Sequence, residues 1–204
     1  MNDDTPGGIA ADALPTPIDP VDLSALHDRL ETGAQAEGLL DIAYTIVDSP
    51  VGRLLLAASP RGLLRVAYER EGHDLVLDSL TAVSPRILRA PKRLDEAARE
   101  LEAYFGGTRK AFDLRLDLSL SHGFRRLVQQ HLPQIGYGTT LSYGQVARLV
   151  GNSKAVRAVG TACATNPLPV VIPCHRVLRS DGTLGGYVGG AEAKATLLRL
   201  EAAA

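Results

Sequence analysis

The stretch Asn166-Pro-Leu-Pro-Val-Val-Ile-Pro173-Cys174-His175-Arg176-Val177 decides how the rest of the chain is read. A run of small apolar and β-branched residues ends abruptly in Pro-Cys-His-Arg. The run reads as a short buried segment, and Pro173 fixes the backbone as the chain leaves it. Cys174 then sits at the end of a rigid element, with an imidazole and a guanidinium next to it in sequence. A thiolate is the competent nucleophile, and nearby positive or hydrogen-bonding groups lower a cysteine pKa from roughly 8.5 toward neutrality. Cys174 is therefore expected to be an activated nucleophile. The plain alternative is a buried structural cysteine followed by a surface histidine.

The flanks decide between the two. Pro-Cys-His-Arg-Val is preceded by Asn-Pro-x-Pro and followed by Gly185-Gly186-Tyr187-x-Gly189-Gly190. This arrangement resembles the active-site signature of the O6-alkylguanine-DNA alkyltransferases (methylated-DNA–protein-cysteine methyltransferases). The resemblance covers Phe124 to Glu201, with a weaker match of layout back to about residue 42.

The 204 residues suffice for one large domain or two small ones. With only 4% aromatic residues and no tryptophan, the core must be mainly Leu, Val and Ala. No run of about 18 apolar residues is present, so no transmembrane helix is expected. The opening Asn2-Asp3-Asp4 lacks a basic region followed by an apolar one and does not read as a secretory signal. Two cysteines, Cys163 and Cys174, cannot make a disulfide framework. A reducing compartment, the cytoplasm, is the natural expectation. The net charge of −1 hides an asymmetry: residues 1–120 carry 13 Lys+Arg against 20 Asp+Glu, residues 121–204 carry 9 against 3. A basic half beside an acidic one points the C-terminal half toward a polyanion.

Residues 1–20, rich in Pro, Gly, Ala and Asp, read as a disordered leader. Val21 to about Gly33 places Leu23, Leu26 and Leu30 at helical spacing, a short amphipathic helix. From Asp41 the pattern becomes strands at Ile42–Val47, Arg53–Ala58 and Leu63–Tyr68. The separators Ser49-Pro-Val-Gly52 and Pro60-Arg-Gly62 are turn chemistry, which predicts an antiparallel meander. Helical spacing returns at His73–Val83 and Leu94–Phe105, the latter stopped by Gly106-Gly107. Phe112 to Leu118 alternates as a fourth strand or an extended connection. His27 and His73 read as plain surface histidines.

Ser121–Leu132 reads as a helix with Phe124, Leu127, Val128 and Leu132 inward, broken by Gly136-Tyr-Gly138. Ser142 and Gln145 form a capping box that opens a helix to Val150. Gly151-Asn152 makes a turn, and Ser153 is expected to cap a second helix to about Cys163. The pair is a helix-turn-helix. Ala155, Ala158, Gly160, Ala162 and Ala164 leave the second helix nearly bare of bulk. That suits either tight helix packing or close approach to a DNA backbone, and Lys154 and Arg157 favour the latter. A final helix is expected over Ala191–Glu201. The expected fold is α+β: residues 1–40 a leader and short helix, 41–118 a small N-terminal domain with antiparallel strands, 119–204 a mostly helical DNA-binding and alkyltransferase domain.

The resemblance implies a chemistry. A reactive atom inside a stacked duplex has to be rotated out, at a cost of a few kcal/mol. Arg157 sits where the family has its intercalating arginine, and Tyr143 matches the tyrosine that helps turn the target phosphate and stabilises the departing guanine. The second helix, with Ser153, Lys154, Ala155 and Ala158, would enter the minor groove of double-stranded DNA. Cys174 would attack the alkyl carbon of O6-alkylguanine, with O4-alkylthymine a further candidate. His175 would remove the thiol proton through a water, with Glu201 orienting the imidazole and Asn166 bracing the active-site turn. Tyr187, Val188, Gly189 and Lys194 fall on positions lining the guanine pocket. No metal, nucleotide or organic cofactor is implied, and the protein is expected to act as a monomer, with self-association on DNA left open.

Three positions depart from the family pattern. Val128 stands where relatives usually carry tryptophan, Ala164 where some carry another arginine, and Val188 where some carry a small polar residue. Cys163, within the second helix, reads as a packing cysteine. The rival readings are a non-catalytic damage sensor of the alkyltransferase-like type, which replaces the reactive cysteine, and a helix-turn-helix regulator, which leaves Pro-Cys-His-Arg unused. A Cys-His hydrolase is disfavoured because neighbours on an extended chain point to opposite faces. Cys163, Cys174 and His175 lack paired metal-ligand spacing.

Overall fold

The structure, a computed structural model, describes residues 20–202; the expected leader lies outside them but for Pro20. The alternating residues of the first half build a sheet. Strands β1 (Ile42–Val47), β2 (Leu54–Ser59) and β3 (Gly62–Tyr68) form the antiparallel meander that the turn chemistry predicts. Every residue of β2 is buried, because both faces of this central strand are covered. Leu55 and Ala57 point to one side, where Val76 and Leu80 of helix α2 (His73–Leu80) cover them. Leu54, Leu56 and Ala58 point to the other, into a core that continues through the second half to Leu197. A strand's period of two sorts these side chains between the two layers.

Strand β4 (Ile87–Arg89), unseen in the sequence, pairs parallel to β1 at the sheet edge. Helix α1 (Pro20–Ala36) precedes the sheet, and His27 is more than a surface histidine: its Nε2 lies 2.6 Å from the Arg89 carbonyl oxygen, tying α1 to β4. Leu23, Leu26 and Leu30 remain exposed. Helix α3 (Asp95–Phe105) buries Ala97, Leu101 and Tyr104 on one stripe. Phe112 to Leu118 is an extended connection rather than a full strand. Leu63 N–H donates to the Arg115 carbonyl and Asp117 N–H to that of Leu63, each at 2.8 Å. Gly62 permits this approach, since at φ 138° a Cβ would collide with the Arg115 carbonyl.

The second half is mostly helical. In α4 (Gly123–His131) Val128 is buried but Leu127 is 39% exposed. The inward neighbour is instead Gln129, whose Nε2–H donates to the Ala162 carbonyl at 3.0 Å. A two-residue strand β5 (Leu141–Ser142) leads into α5 (Tyr143–Leu149) through the expected capping box. Gln145 N–H donates to Ser142 Oγ at 3.2 Å, and Ser142 N–H to Gln145 Oε1 at 2.6 Å. Helix α6 (Val156–Ala164) completes the helix-turn-helix. It starts later than expected: Ser153 lies in the turn, and Ala155 flanks the helix without a side-chain cap. β6 (Val177–Leu178) pairs parallel with β5, and α7 (Gly190–Ala202) closes the chain. Among the described residues no helix is long and apolar enough to cross a membrane.

Candidate functional site

Every residue from Asn166 to Val177 is buried, as the apolar run requires. The segment is irregular, and a buried irregular backbone needs side chains to satisfy it. Asn166 does this. Its Nδ2 donates to the Ile172 carbonyl at 2.8 Å and to Cys174 Sγ at 3.1 Å, while its Oδ1 accepts Leu168 N–H at 3.1 Å. One amide thus closes the turn and touches the sulfur. Inside it Val170 has φ 72°, a region that a β-branched residue adopts at a cost of about 1–3 kcal/mol.

Cys174–Arg176 is not extended, as the hydrolase argument assumed, but one turn of 3₁₀ helix. The pair β5/β6 holds this turn beside Tyr143: Leu141 is paired with Val177 and Ser142 with Leu178. The expected activation of the thiol by charged neighbours fails. Burial pushes Cys174 up, the Asn166 hydrogen bond and the Lys194 charge pull it part of the way back, and it stands at about 11. The reason is geometric: the imidazole and guanidinium that follow Cys174 both turn to Glu201.

Glu201, on the inward face of α7, is the hub. His175 Nε2 lies 2.9 Å from its Oε1, Arg176 Nη2 2.8 Å from the same oxygen, and Arg176 Nε 3.0 Å from Oε2. Tyr104, reaching across from α3, donates its hydroxyl to Oε1 at 2.7 Å, and Gly138 N–H donates to Oε2 at 3.2 Å. Burial alone would raise this carboxyl. The bonds from His175, Arg176 and Tyr104 outweigh it and hold Glu201 down at about 2. An ionised carboxylate only accepts, so Nε2 carries the imidazole proton and Nδ1 keeps its lone pair. Nδ1 is buried without a hydrogen-bond partner among the described residues. Burial also lowers the His175 pKa, against the opposing pull of Glu201, so the imidazole is neutral at pH 7.

Lys194 is fully buried on α7 and donates Nζ–H to the Val177 carbonyl at 2.6 Å and to that of Leu184. It pins the loop between Val177 and α7. Tyr143 is half-buried at the edge of a cavity of about 620 Å³ that Arg148, Val156, Arg179 and Asp181 also line. Gly185 at φ 64° faces its hydroxyl, which lies 2.9 Å from where a Cβ would stand. Tyr187, Val188 and Gly189 are half-buried.

Helix α6 answers the question left by its small residues. Val159, Ala162 and Cys163 face inward, where Ala162 accepts from Gln129, so tight packing explains those. It does not explain Ala158 and Ala164, which are exposed together with Lys154, Arg157 and Thr161. Ser153 is also exposed and Ala155 half-buried. Cys163 is buried, and burial raises its pKa well above the ordinary range, in keeping with a packing role.

Tyr104, Arg148 and Arg179 were missed by the reading of the sequence. Tyr104 left a signal: it falls on the stripe of Ala97 and Leu101, and a phenol on a core stripe needs a partner for its hydroxyl.

Residues 123–203 match the family model described as 6-O-methylguanine DNA methyltransferase, DNA binding domain, and residues 42–118 that described as its ribonuclease-like domain. The chain is 39% identical over 158 residues to the methylated-DNA–protein-cysteine methyltransferase of Methanosarcina acetivorans, covering 78% of this chain and 97% of the relative. The crystal structure of Mycobacterium tuberculosis O6-methylguanine methyltransferase is similar at TM-score 0.71 and 36% identity, covering 79% of this chain and 93% of that one. The Mycobacterium tuberculosis OGT in complex with DNA is similar at TM-score 0.70 and 35% identity, with the same coverage of 79% and 93%.

Proposed function

The chain belongs to the 6-O-methylguanine DNA methyltransferase family, and from that membership we propose that it repairs DNA by moving the alkyl group of O6-alkylguanine onto its own Cys174. The observation that carries the reading is the convergence of Asn166 on the Cys174 sulfur with Glu201 on the adjacent imidazole. A thiol at about 11 is un-ionised at neutral pH, so it needs a base at the moment of attack. His175 supplies it: Glu201 holds the Nε2 proton, and Nδ1 takes the thiol proton through a bridging water. The sulfur–carbon bond forms as the carbon–O6 bond breaks, and the bonding pair stays on the guanine oxygen. Guanine takes up a proton as it leaves, so the thiol's proton ends on the base. The thioether has no easy hydrolytic return, and each molecule repairs one lesion.

Residues 119–204 act as the DNA-binding and reacting domain, and residues 41–118 as the domain that backs it. The exposed face of α6 docks in the minor groove of duplex DNA, with Arg157 filling the gap of the flipped nucleotide and Lys154 and Ser153 at the backbone. Ala155 and Ala158 are small enough for the close approach. Tyr143 meets the turned-out nucleotide, and Tyr187, Val188, Gly189 and Lys194 frame the guanine pocket. Two free thiols suit a reducing compartment, and we place the protein in the cytoplasm as a monomer.

The test is direct. The protein is incubated with duplex DNA carrying O6-methylguanine, digested, and the peptide holding Cys174 is weighed. One methyl group gained there, and none in Cys174→Ala, is the expected result. Tight binding with no gain of mass marks a damage sensor and overturns the proposal.

A further inference from the structure

We propose that Tyr68, at the end of β3, is a positioning residue that acts through Tyr187 to limit the size of alkyl group the pocket accepts; this rests on the alkyl-transfer reading above. The Tyr68 hydroxyl lies 2.9 Å from that of Tyr187. Their rings meet edge to face with centroids 5.8 Å apart, and Tyr187 stands edge-on to His175 at 6.4 Å. A residue of the first half is therefore one ring away from the imidazole beside the nucleophile. Tyr68 is 2% exposed, so its hydroxyl needs a protein partner, and among the described residues that partner is Tyr187.

A second observation makes the contact a built one. A Cβ on Gly189 would stand 2.6 to 2.8 Å from three atoms of the Tyr68 ring. The bareness of Gly189 is thus matched to a side chain of the sheet, and the Gly-Gly-Tyr-x-Gly-Gly loop is shaped around it. The same end of β3 is fastened to the nucleophile's own loop: Val66 N–H donates to the Pro167 carbonyl at 2.9 Å and Arg65 Nη1 to the same oxygen at 3.1 Å. These ties fix Tyr68 relative to Cys174.

A tyrosine ring held only at its Cβ turns aside for a bulky neighbour, whereas one also held at its hydroxyl does not. Tyr187 is held at both ends. Its ring is a fixed wall of the pocket, and a large O6 substituent has to fit the space that remains. Breaking the hydroxyl pair lets the wall give way, which raises transfer of a bulky alkyl group relative to that of a methyl group.

The experiment measures rates of transfer from O6-benzylguanine and O6-methylguanine in the same duplex, for the wild type, Tyr68→Phe, Tyr187→Phe and the double variant. The phenylalanines keep the rings and remove the bond. Tyr68→Phe should raise the benzyl-to-methyl ratio about fivefold, the order expected for one buried hydrogen bond. Tyr187→Phe should move it the same way, and the double variant no further, because one bond is lost in all three. A ratio within about twofold of the wild type in both single variants, with wild-type transfer of both groups intact, overturns this inference alone. A wild type that takes up neither group overturns the alkyl-transfer reading and this inference with it. Should Tyr68→Phe fold poorly, the benzyl-to-methyl ratio of Tyr187→Phe decides, whatever its absolute rates.

Discussion

The outward face of α6 and the loop behind it are made by opposite rules. Arg157, Ala158, Thr161 and Ala164 stand in solvent, small except for one long cation, whereas Asn166–Val177 is buried at every residue. The face holds its charge, on Lys154 and Arg157, out in solvent. The loop pairs its own charge with Glu201, through Arg176 and the His175 imidazole, and leaves the sulfur to burial, the Asn166 amide and the charge of Lys194. Under the proposed function one surface serves approach and one chamber serves reaction. A free alkylated base tests the chamber alone, and a duplex tests both.

Cys174→Ala should abolish transfer from either substrate, read as the mass of the peptide holding residue 174. Glu201→Gln keeps the shape but removes the carboxylate that fixes His175 and neutralises Arg176. Transfer should slow about 10²-fold with free base and duplex alike. Stability should fall by about 3 kcal/mol in urea, because the buried Arg176 loses its counter-charge. If only the duplex reaction suffered, chamber and face would not be separate. Arg157→Ala should slow the duplex reaction about tenfold and leave the free base within about twofold; equal slowing of both would remove the docking role of α6.

The smallest effect is with pH. With His175 as the proposed base its neutral form is the active one, and its lowered pKa keeps it neutral below 6.5, so the acid fall in rate should have its midpoint on the acid side of 6.5. A midpoint above 6.5 would mean that Glu201, not burial, governs the imidazole. Stability follows with the same sign. The unfolded chain takes up protons on His175 below 6.5 and on Glu201 below 4.5 before the folded one does, so both contributions are present at neutral pH and lost on acidification, Glu201's through about 2. Cys174 runs the other way: raised from 9.0 to about 11, it contributes stability that is lost as pH climbs through that window.

The meander was legible because Leu54 to Ser59 lies between turns rich in proline and glycine, and such turns leave a chain few ways to fold back. Strand β4 was not, since three residues show no periodicity and its partner β1 lies far earlier in the chain. Cys174, His175, Asn166 and Glu201 were singled out by resemblance to a motif, and the fold brings Asn166 to Cys174 and Glu201 to His175. The thiol's environment was misread because adjacency in sequence says nothing of where Arg176 points. Tyr104 meets Glu201 across 97 residues and Tyr68 meets Tyr187 across 119, distances at which only the folded core makes the connection. Ser153 was mistaken for a cap because serine before a helical run fits a turn equally well.

The snug seat of the Cys174 sulfur has a consequence for the molecule after it has worked. At 2% exposure, with the Asn166 amide 3.1 Å away, the sulfur has little room for a further carbon. Inserting a methyl into a filled interior typically costs about 1–3 kcal/mol. The spent protein should therefore melt at a lower temperature than the fresh one, and a used molecule would differ from an unused one by how readily it comes apart.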